Sequence, residues 1–429
     1  MTDVEEFGQT PHRMRRSRRF GAVLILASII GSAPAVSAEE ATRTKTDLMF
    51  QRAIDDVRRG ANERALHTLD GLVERHPNFR LAHLVRGDVL LARVRSIKAL
   101  GNSGDAAHGR LEELRAEAKA RMRAEIEVPP AGQVPRYLLQ LGSSQKSVIV
   151  VDTTRSRVYV YEIRGATPRL VRDFYTTIGK RGIEKEREGD KKTPIGVYEV
   201  TTWIPGKKLP DLYGKGAFPI DYPNPRDQVL GRTGHGIWIH GVPSDTYARA
   251  PRASDGCVAL ANPDLLSLAT RVRPGVTPVI IAREVEWAAP VQLRAERDAF
   301  MAQLETWRRD WESRDTERYL AHYAKRFRSN GKNLDGWKAH KRRVNARKTW
   351  IKVALEEVSV FRDPGAKDLI SVTFNQAYRS SNLSQRTRKR QYWELNGGRW
   401  KIVYEAPIRA PVLGLPESYP GAKAAIAPK

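Results

Sequence analysis

The 429-residue chain holds a single cysteine, Cys257, and a histidine, His240, stands seventeen positions before it. A thiol with an imidazole suits nucleophilic acyl transfer, because the thiolate attacks and imidazole has the proton affinity to take the thiol proton near neutrality. Gly256 removes side-chain bulk just ahead of Cys257, so the amides of Gly256 and Cys257 are candidate donors to a developing oxyanion. Read as an extended segment, 236–240 puts Trp238 and His240 on one face and Ile237 and Ile239 on the other. His240 then ends a strand, and Gly241 frees the chain to turn. One cysteine forms no intramolecular disulfide; the bland alternative for Cys257 is a small buried hydrophobe. His235 falls on the opposite side of a continuous strand from His240 and reads as structural. No carboxylate or second thiol completes a zinc spacing with His235, His240 and Cys257, so neither metal nor cofactor is expected.

The elements that must position this pair follow from periodicity. From about 47 to 95 apolar residues recur at helical spacing, with a break at His76-Pro77-Asn78, and the small residues around it resemble one tetratricopeptide-type helical pair. One such pair cannot bury its own face, so it is expected to dock on the next domain or to continue into further helices. A Gly/Ser/Asp linker at 101–109 precedes a charged helix over 111–125, and the helical region is expected over 45–127. From Val148 the period becomes that of strands, at 148–151, 157–162, 174–179, 196–201, 236–240 and 279–283. Long Gly- and Pro-rich loops lie between them, notably 204–234 with Trp203, Tyr213, Phe218 and Tyr222 in or beside it, aromatics suited to packing the loop or lining a cleft. This catalytic domain is expected over 145–285. Beyond Glu286 a helical stretch with Trp307, Trp311 and Tyr319 leads to strands at 350–361, 369–379, 389–395 and 399–405. Asn396-Gly397-Gly398 is a hairpin turn between the last two. The whole reads as a multi-domain α+β chain: a helical segment, a mainly-β domain, a separate α+β domain over 293–406, and a loose tail over 407–429.

Charge and the N-terminus bound the setting. The net charge is +25, from 74 Lys and Arg against 49 Asp and Glu, which points to a polyanionic neighbour. Arg15-Arg16-Ser17-Arg18-Arg19, the apolar run 20–30 and Val36-Ser37-Ala38 form the three parts of a secretory signal peptide over 1–38. Either Met1 or Met14 is the start. Ser17-Arg18-Arg19-Phe20 also matches a twin-arginine signal, a cheap match in a basic region. The expected location is the periplasm, without a stable transmembrane anchor. Export removes nucleic acid as the default partner.

Three blocks in order, from about Ser147 to Arg283, resemble the YkuD-type L,D-transpeptidases. They are Thr193-Pro194-Ile195-Gly196 with Tyr198, Gly234 to His240-Gly241, and Ser254-Asp255-Gly256-Cys257. The resemblance implies peptidoglycan stem peptides as partners. Cys257 would attack the carbonyl of the third stem residue, an L-centre of a diaminopimelate type, and expel the terminal D-Ala. His240 would take the thiol proton and pass it to the leaving amine. A side-chain amine of another stem, or water, would resolve the thioester, and the Gly241 carbonyl would orient His240. Two positions depart from the pattern: Asp255 where many members carry a second His, and Ala259 where Arg or Asn is common. Ser254, Asp255, Arg232, Arg252 and Tyr222 are further candidates for binding or tuning, with Arg249 also flanking the site; for the arginines a solvated basic loop is the competing reading.

The last domain resembles the nuclear-transport-factor-2-like cone through Trp307, Trp311, Tyr319 and the Gly398–Tyr404 strand, which implies a binding role. A wall-attached or periplasmic protein is a further partner class for the helical or C-terminal region. The leading function is therefore peptidoglycan L,D-transpeptidation. An L,D-carboxypeptidase or amidase using the same thioester, a non-catalytic wall-binding scaffold and, more remotely, sortase-like transpeptidation are the alternatives.

Overall fold

The computed structural model describes residues 42–97, 99–101, 108–164, 167–329 and 331–408. The expected signal peptide, the middle of the 101–109 linker and all but the start of the tail lie outside the described residues. Three helices, Lys45–Arg58, Asn62–Arg75 and Arg80–Leu91, precede the linker, one more than the expected pair. The extra break falls at Gly60, whose φ of +72° is open to glycine without a side-chain penalty. Thr44 caps the first helix by accepting from the Asp47 amide. Phe50, Leu69, Leu72, Leu81 and Val85 form one buried cluster, which Tyr247 and Ala261 of the next domain complete. The helices thus bury their apolar face by docking. A fourth helix, His108–Ile126, brings Arg121 into a buried ion network with Asp47 and Glu117 (2.9 Å), its guanidinium 4.2 Å from the Tyr175 ring centroid.

The second unit is a ten-stranded sheet. Its strands run in the order Gly196–Glu199, Pro278–Ala282, Ser147–Asp152, Arg157–Arg164, Thr167–Gly179, Val258–Leu260, Trp238–His240, Gly216–Pro219 and Ile204–Pro205. Arg252–Ser254 pairs alongside Thr167–Gly179. Residues 204–234 are more ordered than expected. They hold two strands and a short helix, Pro225–Val229, closed by a capping box between Asn224 and Asp227. The expected 236–240 strand is shorter, Trp238–His240.

The third unit packs the helix Pro290–Glu312 over a seven-stranded sheet. Phe300, Leu304, Trp307, Trp393 and Ile402 lie in its core. Gly397 and Gly398 both take positive φ in the hairpin between Leu383–Asn396 and Arg399–Pro407, as a two-residue primed turn requires. One edge strand of this sheet comes from far back in the chain: Leu138–Gln140 pairs antiparallel with Ile351–Arg362. Phe361 returns the exchange, joining Leu138, Val150 and Tyr159 in a buried cluster on the catalytic sheet. Arg226 grips Asp363 with two contacts (2.7 and 2.8 Å), and Arg390 reaches Asp221 at 2.8 Å across the same boundary. Among the described residues no helix is long and apolar enough to cross a membrane.

Candidate active site

The nucleophile and base candidates meet through a parallel strand pair. Val258 is in register with Ile239, and Ala259 with His240. Cys257 therefore falls one step before the pair, level with Trp238, and strand alternation sends Cys257, Ala259, Trp238 and His240 to one face. Ile237, Ile239, Val258 and Leu260 face the other way and are buried together in the core. The apolar alternation thus fixes the direction of the two reactive side chains. The Tyr213 ring covers the same face, 4.8 Å from Trp238 and edge-on to His240 at 5.1 Å.

His240 is buried, and its Nδ1 lies 2.5 Å from the Gly241 carbonyl oxygen. A carbonyl only accepts, so Nδ1 carries the proton and Nε2 is left as the basic nitrogen. Burial, partly offset by that bond, lowers the imidazole to about 4. The half-buried Cys257 donates its thiol to the Gly236 carbonyl at 3.4 Å and accepts from the Trp238 amide. Burial pushes the thiol up to about 11. At neutral pH both groups are therefore uncharged, a thiol and an imidazole on one sheet face rather than a thiolate–imidazolium pair.

The loop carrying Cys257 is pinned on either side of the Gly256–Cys257 peptide. Ser254 Oγ donates to the Cys257 carbonyl at 2.6 Å and accepts from the Gly256 amide at 3.2 Å. This corrects the reading of Gly256 as a free oxyanion donor: its N–H is taken by Ser254, leaving the Cys257 amide of the two. The Gly256 carbonyl accepts from the buried Thr193 hydroxyl at 2.9 Å, and that hydroxyl accepts from the Gly179 amide at 2.9 Å. In the trans Gly256–Cys257 peptide the Cys257 N–H points opposite to that held carbonyl. Gly256 has φ +123°, and a Cβ there would sit 2.7 Å from the Lys192 carbonyl oxygen, so this position requires glycine.

The other candidates separate. Asp255 is exposed and pairs with Lys180 at 2.8 Å, which holds its carboxyl below the usual range. Arg252 is exposed on its short strand. Tyr222 is buried against Tyr198 and donates to the Thr233 carbonyl, and Arg232 pairs with Asp227 at 2.8 Å. These two hold their own loop, and among the described residues no hydrogen bond or ion pair joins either to Cys257 or His240. His235 lies 3.9 Å from Glu188. Thr193 and Asn262 had no assigned role in the sequence, and Tyr213 was expected only as an aromatic packing its loop or lining a cleft. Asn262 donates to the Val242 carbonyl at 2.8 Å and accepts from the Lys215 amide at 2.9 Å, tying the loop after His240 to the one holding Tyr213. Thr193 carried a signal as the head of its Thr-Pro block, and Asn262 carried none. Among the described residues no group of three or more His, Cys, Asp or Glu is placed to hold a metal ion.

A second buried polar centre lies inside the C-terminal unit. Glu405 accepts from Lys389 at 2.7 Å, Gln391 at 2.9 Å and the Tyr323 hydroxyl at 3.1 Å. Lys341 Nζ stands 4.6 Å from the Trp311 ring centroid and 4.5 Å from that of Trp337. Burial, helped by Lys389, lowers this ammonium to about 7.

Comparison with known proteins gives both folded units a family. Residues 146–281 match the model of the YkuD L,D-transpeptidase catalytic domain, and residues 299–406 match that of the Cds6 C-terminal NTF2-like domain. No curated protein matches the chain by sequence. Among solved structures, Bd1075 of Bdellovibrio bacteriovorus is 29% identical with a TM-score of 0.56, covering 65% of this chain and 99% of its own. The helical cell shape determining protein Pgp2 of Campylobacter jejuni is 27% identical with a TM-score of 0.54, covering 63% of this chain and 95% of its own. The chain therefore carries a YkuD L,D-transpeptidase catalytic domain followed by a Cds6-type NTF2-like domain.

Proposed function

We propose that this protein is a periplasmic L,D-transpeptidase that remodels peptidoglycan through a thioester on Cys257. The observation that carries the reading is the shared sheet face of Cys257 and His240, with Nδ1 of His240 locked on the Gly241 carbonyl and Nε2 left basic. Substrate enters on the face covered by Tyr213. His240 Nε2 takes the thiol proton as sulfur attacks the carbonyl of the third stem residue. The Cys257 amide, aimed by the Thr193-held peptide, stabilises the oxyanion. His240 then protonates the leaving D-Ala amine, and the amine of a second stem resolves the thioester. A neutral resting pair suits this sequence, since no charge has to be desolvated before substrate arrives. The likeness to a cell shape determining protein over nearly its whole length supports a role in wall shaping.

Incubating the purified protein with defined tetrapeptide muropeptides, with products read by mass spectrometry, tests the reading. Cross-linked dimers are expected from the native protein and none from Cys257→Ser. Tripeptides without dimers would replace the amine acceptor by water and make the protein an L,D-carboxypeptidase. Turnover surviving Cys257→Ser would overturn the thioester altogether.

A further inference from the structure

Arg249 lies in the segment between the base and the nucleophile. Its backbone is fixed: the Arg249 carbonyl accepts from the Tyr175 hydroxyl at 2.8 Å and from the Thr177 hydroxyl at 3.1 Å. Both residues belong to the strand that pairs with Val258–Leu260, directly after the nucleophile, and Thr177 is in register with Ala259. At Ala259 that register presents only a methyl group. The Arg249 side chain is half-buried, and its Nη2 donates to the Ala253 carbonyl, four residues ahead of Cys257.

That carbonyl is its one hydrogen-bond acceptor among the described residues, and no carboxylate there lies within 4.0 Å of it. A guanidinium has five N–H donors in a planar fork, so most of this fork is unspent. The other arginines that are as enclosed or more so at the domain boundaries are matched: Arg157 with Asp173 at 2.6 Å, Arg226 with Asp363, Arg390 with Asp221. Burial outweighs the pull of Asp255 and Glu113, neither of them within ion-pair distance, and lowers the affinity of Arg249 for its proton. Its bond to the Ala253 carbonyl places the guanidinium beside the segment that leads into Cys257, and its charge is felt at Cys257, His240 and Asp255. Two other cations near this site are already engaged: Lys180 by Asp255, and Lys185, whose charge also acts on Cys257, by Asp190 at 2.8 Å.

An unmatched guanidinium fork beside a nucleophile is shaped for a carboxylate. We propose that Arg249 binds the free C-terminal carboxylate of the donor peptide, so that the site selects chains ending one residue beyond the bond to be broken. The inference rests on the acyl-transfer reading above. The carboxylate carbon of the leaving residue is three bonds from the attacked carbonyl carbon, within about one Cα-to-Cα step of ~3.8 Å. When the S–C bond forms and the C–N bond breaks, the thiol proton travels through His240 to the leaving amine. The departing amino acid takes its carboxylate out of the Arg249 fork.

Binding of a tetrapeptide stem as free acid and as C-terminal amide, measured calorimetrically on Cys257→Ser protein, tests this without turnover. The acid is expected to bind about 10- to 100-fold more tightly, the worth of a charge-assisted pair. Adding Arg249→Gln should collapse that ratio towards one, while Arg249→Lys should keep part of it. Equal binding of acid and amide, no measurable binding of either, or a preference that survives Arg249→Gln overturns the proposal. Turnover of both peptides by the Cys257-containing protein separates the two ideas. Product from acid and amide alike defeats the carboxylate anchor and spares the thioester. Acid-selective binding with no product does the reverse.

Discussion

The two buried polar centres of this chain handle charge in opposite ways. Around Cys257 and His240 the compensation comes from backbone dipoles: the Gly236 and Gly241 carbonyls and the Trp238 amide. Neither group is ionised at neutral pH. In the C-terminal unit the compensation comes from charged side chains, although burial brings one of them, Lys341, down to about 7. Burial tends to raise Glu405, but the Lys389 and Lys341 ammoniums outweigh it and hold the carboxyl below its usual range. Removing a group has a different meaning in each place. The first centre is a pair that stays neutral until attack begins, and the second is a lattice in which each ion needs its neighbour.

The sharpest break of this contrast is His240→Ala. Turnover should fall about 10²- to 10⁴-fold, the contribution of a positioned base, while the melting temperature barely moves; a rate loss that tracked unfolding would erase the distinction. Glu405→Ala should do the opposite, costing about 3–5 kcal/mol in denaturant unfolding because the half-buried Lys389 loses its partner and the buried Lys341 its nearby carboxylate. If the C-terminal charges are as dispensable as exposed ones, that loss will be absent. The pH profile sharpens the neutral-pair description. His240 is a base only when unprotonated, and its affinity is lowered to about 4. The acid limb of kcat/KM should therefore fall as pH drops through about 4; a limb near the ordinary imidazole value of about 6.5 contradicts a buried neutral base. Thr193→Val, which strands the Gly179 amide and the Gly256 carbonyl, should cost about 1–3 kcal/mol in stability and lower kcat more than it raises KM. The smallest effect belongs to Asp255→Asn. Its exposed partner Lys180 is screened by water and salt, so the melting temperature should be the same at low and high ionic strength.

The reactive pair was legible because strand alternation is local: Trp238 and His240 share a face whatever else the chain does. The turn at Gly397-Gly398 was legible for the same reason, since both glycines carry their conformation with them. What surrounds the pair was not. Thr193 meets Gly256 across 63 positions, and Tyr213 meets His240 through a loop whose order comes from pairing Gly216–Pro219 with Trp238–His240. Nothing in the local sequence around Thr193 announces that its hydroxyl will bridge two peptides. The place of Tyr222 was open in the sequence, since an aromatic in a Pro-rich loop suits a cleft or a core equally; in the structure it packs on Tyr198. The Gly256 amide was misjudged because Ser254 was read as a neighbour of the nucleophile and not as an acceptor two residues away.

The strand Leu138–Gln140 has a consequence for inheritance. It edges the C-terminal sheet while Phe361 fills the catalytic core, so each unit holds a piece of the other. A stop codon between residues 290 and 350 would do more than delete a binding module: it would open a hydrophobic cluster in the enzyme and leave an unpaired apolar strand, a template for aggregation. Such a truncation would resemble loss of the enzyme itself. The two units are expected to have diverged as one inherited block, and a transplanted C-terminal unit should work only if residues 137–140 travel with it.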